Sequence, residues 1–290
     1  MKRCSRPDLP GQSAREELGR WRDSAPSWIT NARLIAAMTA EVSRSLIDHL
    51  APQAEERLLD IACGAGDPAL GLLEAVSGQA RLVALDPVED LAGATRAAAR
   101  DAGVVGLAAT CARVEQLPFG EACFDAASCR FGAMFFRPVE AGLAELRRVL
   151  RPAGRVTLAV WGPKEANPYF TAVARALDAA GVVAPPADPG QPTVFELAAP
   201  GDLAARLTAA GFSDAVTHQL PFEMALTGAN AANFMQRQAE LSPAIARRLD
   251  AASTAQRERA AAAAAETVAP WERDGAVVLP ALALVLSARR

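Results

Sequence analysis

The chain has 290 residues, 51% of them hydrophobic, 22% charged and 5% aromatic, and a formal net charge of −3. That composition can bury a large core, and the length fits one α/β domain with additions better than two independent domains. The mild acidity, with no basic run or stripe, excludes the usual footprint of a nucleic-acid binder.

Residues 1–25 contain Pro7, Pro10, Gly11 and many charges and read as a flexible N-terminal tail, with the domain proper over 26–290. Leu34, Ile35, Met38, Val42, Leu46, Ile47 and Leu50 recur at helical spacing and predict a helix over 31–50, stopped by Pro52. A short apolar strand (57–61), a glycine-rich turn and a helix (68–76) follow. Then come a second strand (81–85), a helix (88–102), a weaker strand (107–113) and a fourth strand (124–129). An amphipathic helix over 139–150 ends at Pro152 and Gly154, and 155–161 is a fifth strand. This alternation predicts a parallel sheet covered on both faces. After Gly162 the rhythm changes. A helix (169–180) leads to a proline-rich loop (185–192), a helix (200–210) closed by Gly211, a strand (212–224), helical composition over 231–267 and a last strand (275–288). No apolar run reaches the roughly 20 residues of a membrane helix. The five cysteines form no CxxC pair, and 1–23 lacks the apolar stretch of a secretory signal, so reduced thiols and a cytoplasmic setting are expected.

The strongest local signal is Leu58-Leu59-Asp60-Ile61-Ala62-Cys63-Gly64-Ala65-Gly66-Asp67, a hydrophobic strand running into glycines just before a helix. Glycines there allow a tight turn and let a ligand approach the backbone N–H groups. Asp86 ends the second strand, where a carboxylate can accept hydrogen bonds from the ribose hydroxyls of an adenosine cofactor. Gly64-x-Gly66-x-x-Ala69 also fits the dinucleotide fingerprint, so an NAD-dependent oxidoreductase competes on this segment. Asp60, four residues before the first glycine, suits an α-amino group instead.

Together with three later segments, this one resembles motif I of the class I S-adenosylmethionine-dependent methyltransferases. Val114-Glu115-Gln116-Leu117-Pro118-Phe119, Phe124-Asp125-Ala126-Ala127 and Glu145-Leu146-Arg147-Arg148-Val149-Leu150-Arg151-Pro152-Ala153-Gly154-Arg155 are similar, in order and spacing, to the UbiE-like (type 11) branch. The resemblance covers about 58–162. It implies a Rossmann-like seven-stranded, mostly parallel sheet with helices on both faces and the last strand inserted antiparallel. It also implies a cofactor-binding core over about 50–165 and S-adenosylmethionine as cofactor. By the same resemblance Asp60, Ala62, Gly64 and Gly66 line the methionine and ribose part, Asp86 grips the ribose with Pro87 against the adenine, and Val114 and Glu115 frame the adenine edge. Cys129 and Arg130 fall near the amino-acid end. Two positions depart from the pattern: Ala62 replaces a glycine, and Arg113 stands where an aspartate commonly bonds the adenine amino group, a bond arginine cannot accept.

Plainer readings stand beside these. Asp60 and Asp86 could cap helices, Cys63 and Cys129 read first as small buried hydrophobes, and Arg130 suits an ion pair as well as a ligand. No general base is assigned; His218, alternating with Leu220 and Phe222 on a strand, is the candidate, and no metal site is expected. Phe131, Met134 and Phe135, with Trp21, Trp28 and Tyr169, are core or else an acceptor wall. A helical cap over about 225–272 is expected to close a site for a small, largely apolar acceptor (quinone-, polyketide-, terpenoid- or lipid-like), methylated on O or C. No nucleic acid and no membrane insertion are expected, and a homodimer is left open. A non-methylating or non-catalytic use of the same cofactor fold shares every motif.

Overall fold

A computed structural model describes residues 12–184 and 192–290. The first half alternates as its hydrophobic runs require: β1 (Arg57–Ile61), α4 (Ala69–Ala75), β2 (Arg81–Asp86), α5 (Glu89–Asp101), β3 (Leu107–Cys111), β4 (Phe124–Arg130), α6 (Val139–Val149) and β5 (Leu150–Trp161). Successive strand residues face opposite sides. Leu58, Leu82 and Ala126 therefore pack with Leu72 and Leu73 of α4, while Leu59, Ile61 and Ala127 join Leu143 and Leu146 of α6 in the main core. Covering both faces is what leaves these strands apolar along their whole length.

The sheet order is β3-β2-β1-β4-β5-β8-β6. β8 (Ala276–Arg289) inserts antiparallel between β5 and β6 (Ser213–Thr227), so the other six strands of this path run parallel. The expected seven-stranded sheet is thus present, with a two-residue eighth strand, β7 (Glu272–Arg273), hairpinned onto β8. That hairpin turns on Asp274 and Gly275, both at positive φ (51° and 74°), as two-residue turns of this hand require.

Several expectations change. The helix expected over 31–50 is two, α2 (Ala32–Met38) and α3 (Ala40–Leu50), because the Thr39 hydroxyl donates to the Ile35 carbonyl (2.8 Å) and loosens the helix there. A helix, α1 (Gln12–Thr30), occupies most of what composition marked as tail; the segment 1–11 lies outside the described residues, as does 185–191 of the proline-rich loop. β5 begins five residues earlier than expected, since Phe124 pairs with Leu150. The helical stretch after β6 is three helices: α9 (Phe234–Leu241), α10 (Pro243–Ala251) and α11 (Thr254–Val268). Ser242 caps α10, and a capping box of Ser253 and Gln256 opens α11. With α7 (Pro168–Ala179) and α1 they form a roof over the carboxyl ends of the parallel strands. α8 (Asp202–Ala209) packs beside β6.

Candidate active site

The carboxyl ends of β1 and β2 bring two aspartates close to the glycine turn. Asp60 is fully buried; Ser128, its register partner on β4, donates to Oδ1 at 2.6 Å, and Oδ2 has no partner. Burial pushes this carboxyl up to about 7, against the lowering by Ser128 and by the Arg130 charge. Asp86 accepts hydrogen bonds from the backbone N–H groups of Gly64 (3.1 Å) and Val88 (2.9 Å), and burial pushes it up to about 6.

Between them the chain turns through left-handed conformations at Ala62 (φ 55°), Gly64 (55°) and Gly66 (112°). A Cβ built on Gly64 would meet nothing within 4 Å, so the backbone lies bare to whatever occupies the space above it. That space is a cavity of about 1350 Å³. It starts over Gly64 and Gly66, passes Asp86, Pro87 and Val114, and reaches α1 and the roof helices. Pockets for one small ligand usually measure about 300–1,000 Å³, so two molecules fit side by side.

Most of the residues expected at the cofactor line this cavity, with corrections. Cys129 does not: it lies buried beneath the floor with its thiol pushed far up by burial, a small core residue. Asp60 also sits below the lining, not in it. Arg130 lines the cavity, but its guanidinium is held by Asp67, by Ser43 Oγ (2.8 Å) and by Thr39 Oγ1 (2.5 Å). It ties the end of β4 to the glycine turn and to the break between α2 and α3. Glu115 accepts from the Arg137 backbone N–H (2.6 Å) and pairs with Arg113 at 3.0 Å, so the anomalous arginine is neutralised by its neighbour.

The part of the cavity away from the glycine turn is aromatic. Phe131, itself at φ 57°, stacks flat on Trp161 with centroids 3.9 Å apart and planes 3° from parallel. Phe170 meets Trp161 edge-on, Tyr169 meets Phe170 edge-on, and Trp21 meets both Phe135 and Trp28 edge-on. Met134 closes the floor. His218 is elsewhere: it is exposed on edge strand β6, its ring 4.1 Å from that of His49, and it does not line the cavity. Sequence reasoning missed Asp67, Trp161 and Gln238. The first two directly follow Gly66 and end a core strand, which was signal enough; Gln238, inside a cap helix, carried none.

The residues present fit S-adenosylmethionine. The orphaned, fully buried Asp60 Oδ2 asks for a positive or donor group above it, the bare Gly64 backbone is a cradle that a Cβ would fill, and Asp86 keeps lone pairs free for hydroxyl donors.

Residues 58–154 match a family model described as a methyltransferase domain. The ubiquinone/menaquinone biosynthesis C-methyltransferase UbiE of Dinoroseobacter shibae is 39% identical over 116 residues, 39% of this chain and 45% of its own length. The demethylmenaquinone methyltransferase of Deinococcus radiodurans is 38% identical over 124 residues, 41% and 48% of the two chains. The chain thus spans about half the length of the curated relatives it matches. The structure of the YcgJ protein of Bacillus subtilis superposes with a TM-score of 0.56 at 20% identity, over 87% of this chain and 98% of that one, and shares the fold. Fold, glycine turn and paired aspartates define a class I S-adenosylmethionine-dependent methyltransferase domain, with S-adenosylmethionine as its cofactor. Over the matched residues the chain is similar to the UbiE-like methyltransferases.

Proposed function

We propose that this protein transfers the methyl group of S-adenosylmethionine to a small, largely apolar acceptor carrying a flat ring, of quinone-like kind in the first instance and polyketide-, terpenoid- or lipid-like in the wider class. The observation that carries this is one cavity running from the bare Gly64 backbone and Asp86 to the Phe131–Trp161 stack. The cofactor supplies an electrophilic methyl carbon on a cationic sulfur; the chain's part is to align the acceptor and keep water away, which a wall of stacked rings does without a dedicated base. Ala62, Gly64, Gly66, Asp86, Pro87 and Val114 are the cofactor surface in this reading, with Asp60 acting from beneath. Trp21, Trp28, Phe131, Met134, Phe135 and Tyr169 are the acceptor surface. Similarity to a ubiquinone/menaquinone biosynthesis C-methyltransferase and to a demethylmenaquinone methyltransferase favours a quinone-type ring, and the first of them favours methylation at carbon.

Two arginines that line the cavity are spent on carboxylates, Arg20 on Glu17 and Arg248 on Asp178, which leaves the aromatic rings as the main contact surface for a flat ring. A dinucleotide reading lacks its seat, because α4 has only seven residues and begins three positions beyond Gly66. No helix among the described residues is long and apolar enough to cross a membrane. A cytoplasmic setting and a small-molecule partner without nucleic acid belong to the same reading. The test is incubation with methyl-labelled S-adenosylmethionine and a panel of quinols, phenols, fatty acids and amines, followed by mass spectrometry of the products. Label on quinols or phenols is expected; label only on amines or carboxylates would overturn the acceptor class.

A further inference from the structure

Tyr169 is the only tyrosine of the chain. It lines the acceptor half of the cavity, and among the described residues its hydroxyl has no hydrogen-bond partner. In a wall otherwise made of Phe131, Trp161, Phe170 and Met134, it is the one aromatic residue that carries a phenolic donor.

Its position is fixed by two staples. Asn167, two residues earlier and fully buried, donates to the carbonyls of Gly162 (3.2 Å), Pro163 (3.0 Å) and Leu282 (3.2 Å), and its Oδ1 accepts from the Leu282 N–H at 3.0 Å. The first turn of α7 is thereby locked to β8. From the roof, Gln238 of α9 donates its amide N–H to the Tyr169 carbonyl. The side chain of Gln238 is almost fully buried, and the contact fixes which end of its amide is nitrogen. The ring of Tyr169 rests edge-on against Phe170 at 5.1 Å. A hydroxyl on a half-buried ring held this firmly, lining the cavity and without a partner among the described residues, is placed to recognise a ligand that enters there.

We infer that the Tyr169 hydroxyl donates a hydrogen bond to the oxygen of a phenolic or enolic acceptor and holds that oxygen in its ionised form, which makes acidic ring hydroxyls the acceptor class of this site. The inference rests on the methyl-transfer reading above and names its substrate. Burial raises Tyr169 well above the ordinary phenol range, so it keeps its own proton and acts as donor, not as base. The proton lost by the acceptor goes to water, and no bond of the acceptor's carbon skeleton changes in this step. An ionised ring is electron-rich at oxygen and at the carbons beside it, the property an electrophilic methyl carbon requires, and its single hydrogen bond replaces the missing general base.

Charged groups around the same cavity could instead attract an anion diffusely. Glu17 with Arg20, Arg113 with Glu115, Arg130 with Asp67, Arg137 with Glu196 and Arg248 with Asp178 are paired. Asp86 and Asp101 are anionic, and the cations this leaves among the described lining residues are exposed Arg33 on α2 and Arg247 on α10. They supply the control. The experiment is a spectrophotometric pH titration of 4-nitrophenol bound to the full chain in the presence of S-adenosylhomocysteine, with calorimetry of S-adenosylhomocysteine on the same samples. The variants are Tyr169→Phe, which keeps the ring, and Arg33→Gln with Arg247→Gln. The expected result is that wild type binds the yellow anionic form in preference, lowering the probe's apparent pKa. Tyr169→Phe should lose roughly tenfold or more of that preference while binding S-adenosylhomocysteine as before. The arginine variant should keep the preference. Equal preference in Tyr169→Phe and wild type, loss of the preference in the arginine variant alone, or binding of the neutral probe only would each overturn the inference and leave the methyl-transfer reading standing. Failure of wild type to bind S-adenosylhomocysteine would overturn both.

Discussion

Asp60 and Asp86 end adjacent strands, and burial raises both, yet the structure holds them differently. Asp86 is braced by two backbone N–H groups and opens on the cavity, so its charge is available to ribose hydroxyls. Affinity for S-adenosylhomocysteine should therefore climb by about tenfold per pH unit up to about 6 and level off above, as calorimetry from pH 5 to 8 will show. A flat profile would remove Asp86 from the ligand surface. Asp60 has no such bracing on Oδ2. Its folded value near 7 lies above the ordinary 3.8, so folding takes up a proton between those values and ionisation costs stability as pH rises through that window. Asp60→Asn should keep a partner in Ser128, melt several degrees above wild type at pH 8, and lose that advantage as pH falls towards 4. A lower melting temperature at pH 8 would mean that the carboxylate has a partner in the folded state. Both aspartates and both glycines were legible in the sequence, because backbone approach and strand-end acids leave a local pattern. Cys129 was not: whether a side chain at the end of β4 points up to the cavity or down into the core depends on strand parity, and a β4 one residue longer than expected shifts which residues count as its end.

Among the elements, the glycine turn shows how strand, turn and neighbouring loop share one space. Gly64 faces open cavity, whereas a Cβ on Gly132 would fall inside the Ala62 side chain and 2.8 Å from Cys129 Sγ. Gly64→Ala should fold with a loss of about 1–2 kcal/mol for its left-handed backbone and yet bind S-adenosylhomocysteine much more weakly. Gly132→Ala should lose roughly 1–3 kcal/mol through overpacking. Denaturant melts and calorimetry on the two variants separate these outcomes; tight ligand binding by Gly64→Ala would show that the ligand does not lie on that backbone. The strands and α4 to α6 followed from apolar runs and their breakers. The break at Thr39 did not, since it depends on a hydroxyl shared between Ile35 and Arg130, 91 residues away. α1 was missed for a related reason: its apolar residues are few, and its helicity is supported by packing Ala25, Trp21 and Trp28 against Val88 and Leu91.

Taken whole, the molecule places one helix across both halves of its site. α1 packs on Val88 and Leu91 beside Asp86 and Pro87, and its Ser27 hydroxyl donates to the Glu240 carbonyl of α9 in the roof (2.5 Å). A ligand beneath it should slow opening, so amide exchange over 12–30 should decrease on addition of S-adenosylhomocysteine. Unchanged exchange there would mean that α1 does not cover the cofactor. The topology, including the antiparallel insertion of β8, was legible through family resemblance and strand order. The roof was legible only as helical composition, because nothing in the pattern of 231–267 says which cavity its helices close. The most direct measurement is calorimetric titration of the protein with S-adenosylmethionine, S-adenosylhomocysteine and NAD, in wild type and Asp86→Asn. Micromolar binding of the two adenosyl ligands, at least tenfold weaker in the variant and absent for NAD, is the expected result; NAD binding, or no adenosyl binding at neutral pH, would contradict the assignment of this cavity to methyl transfer.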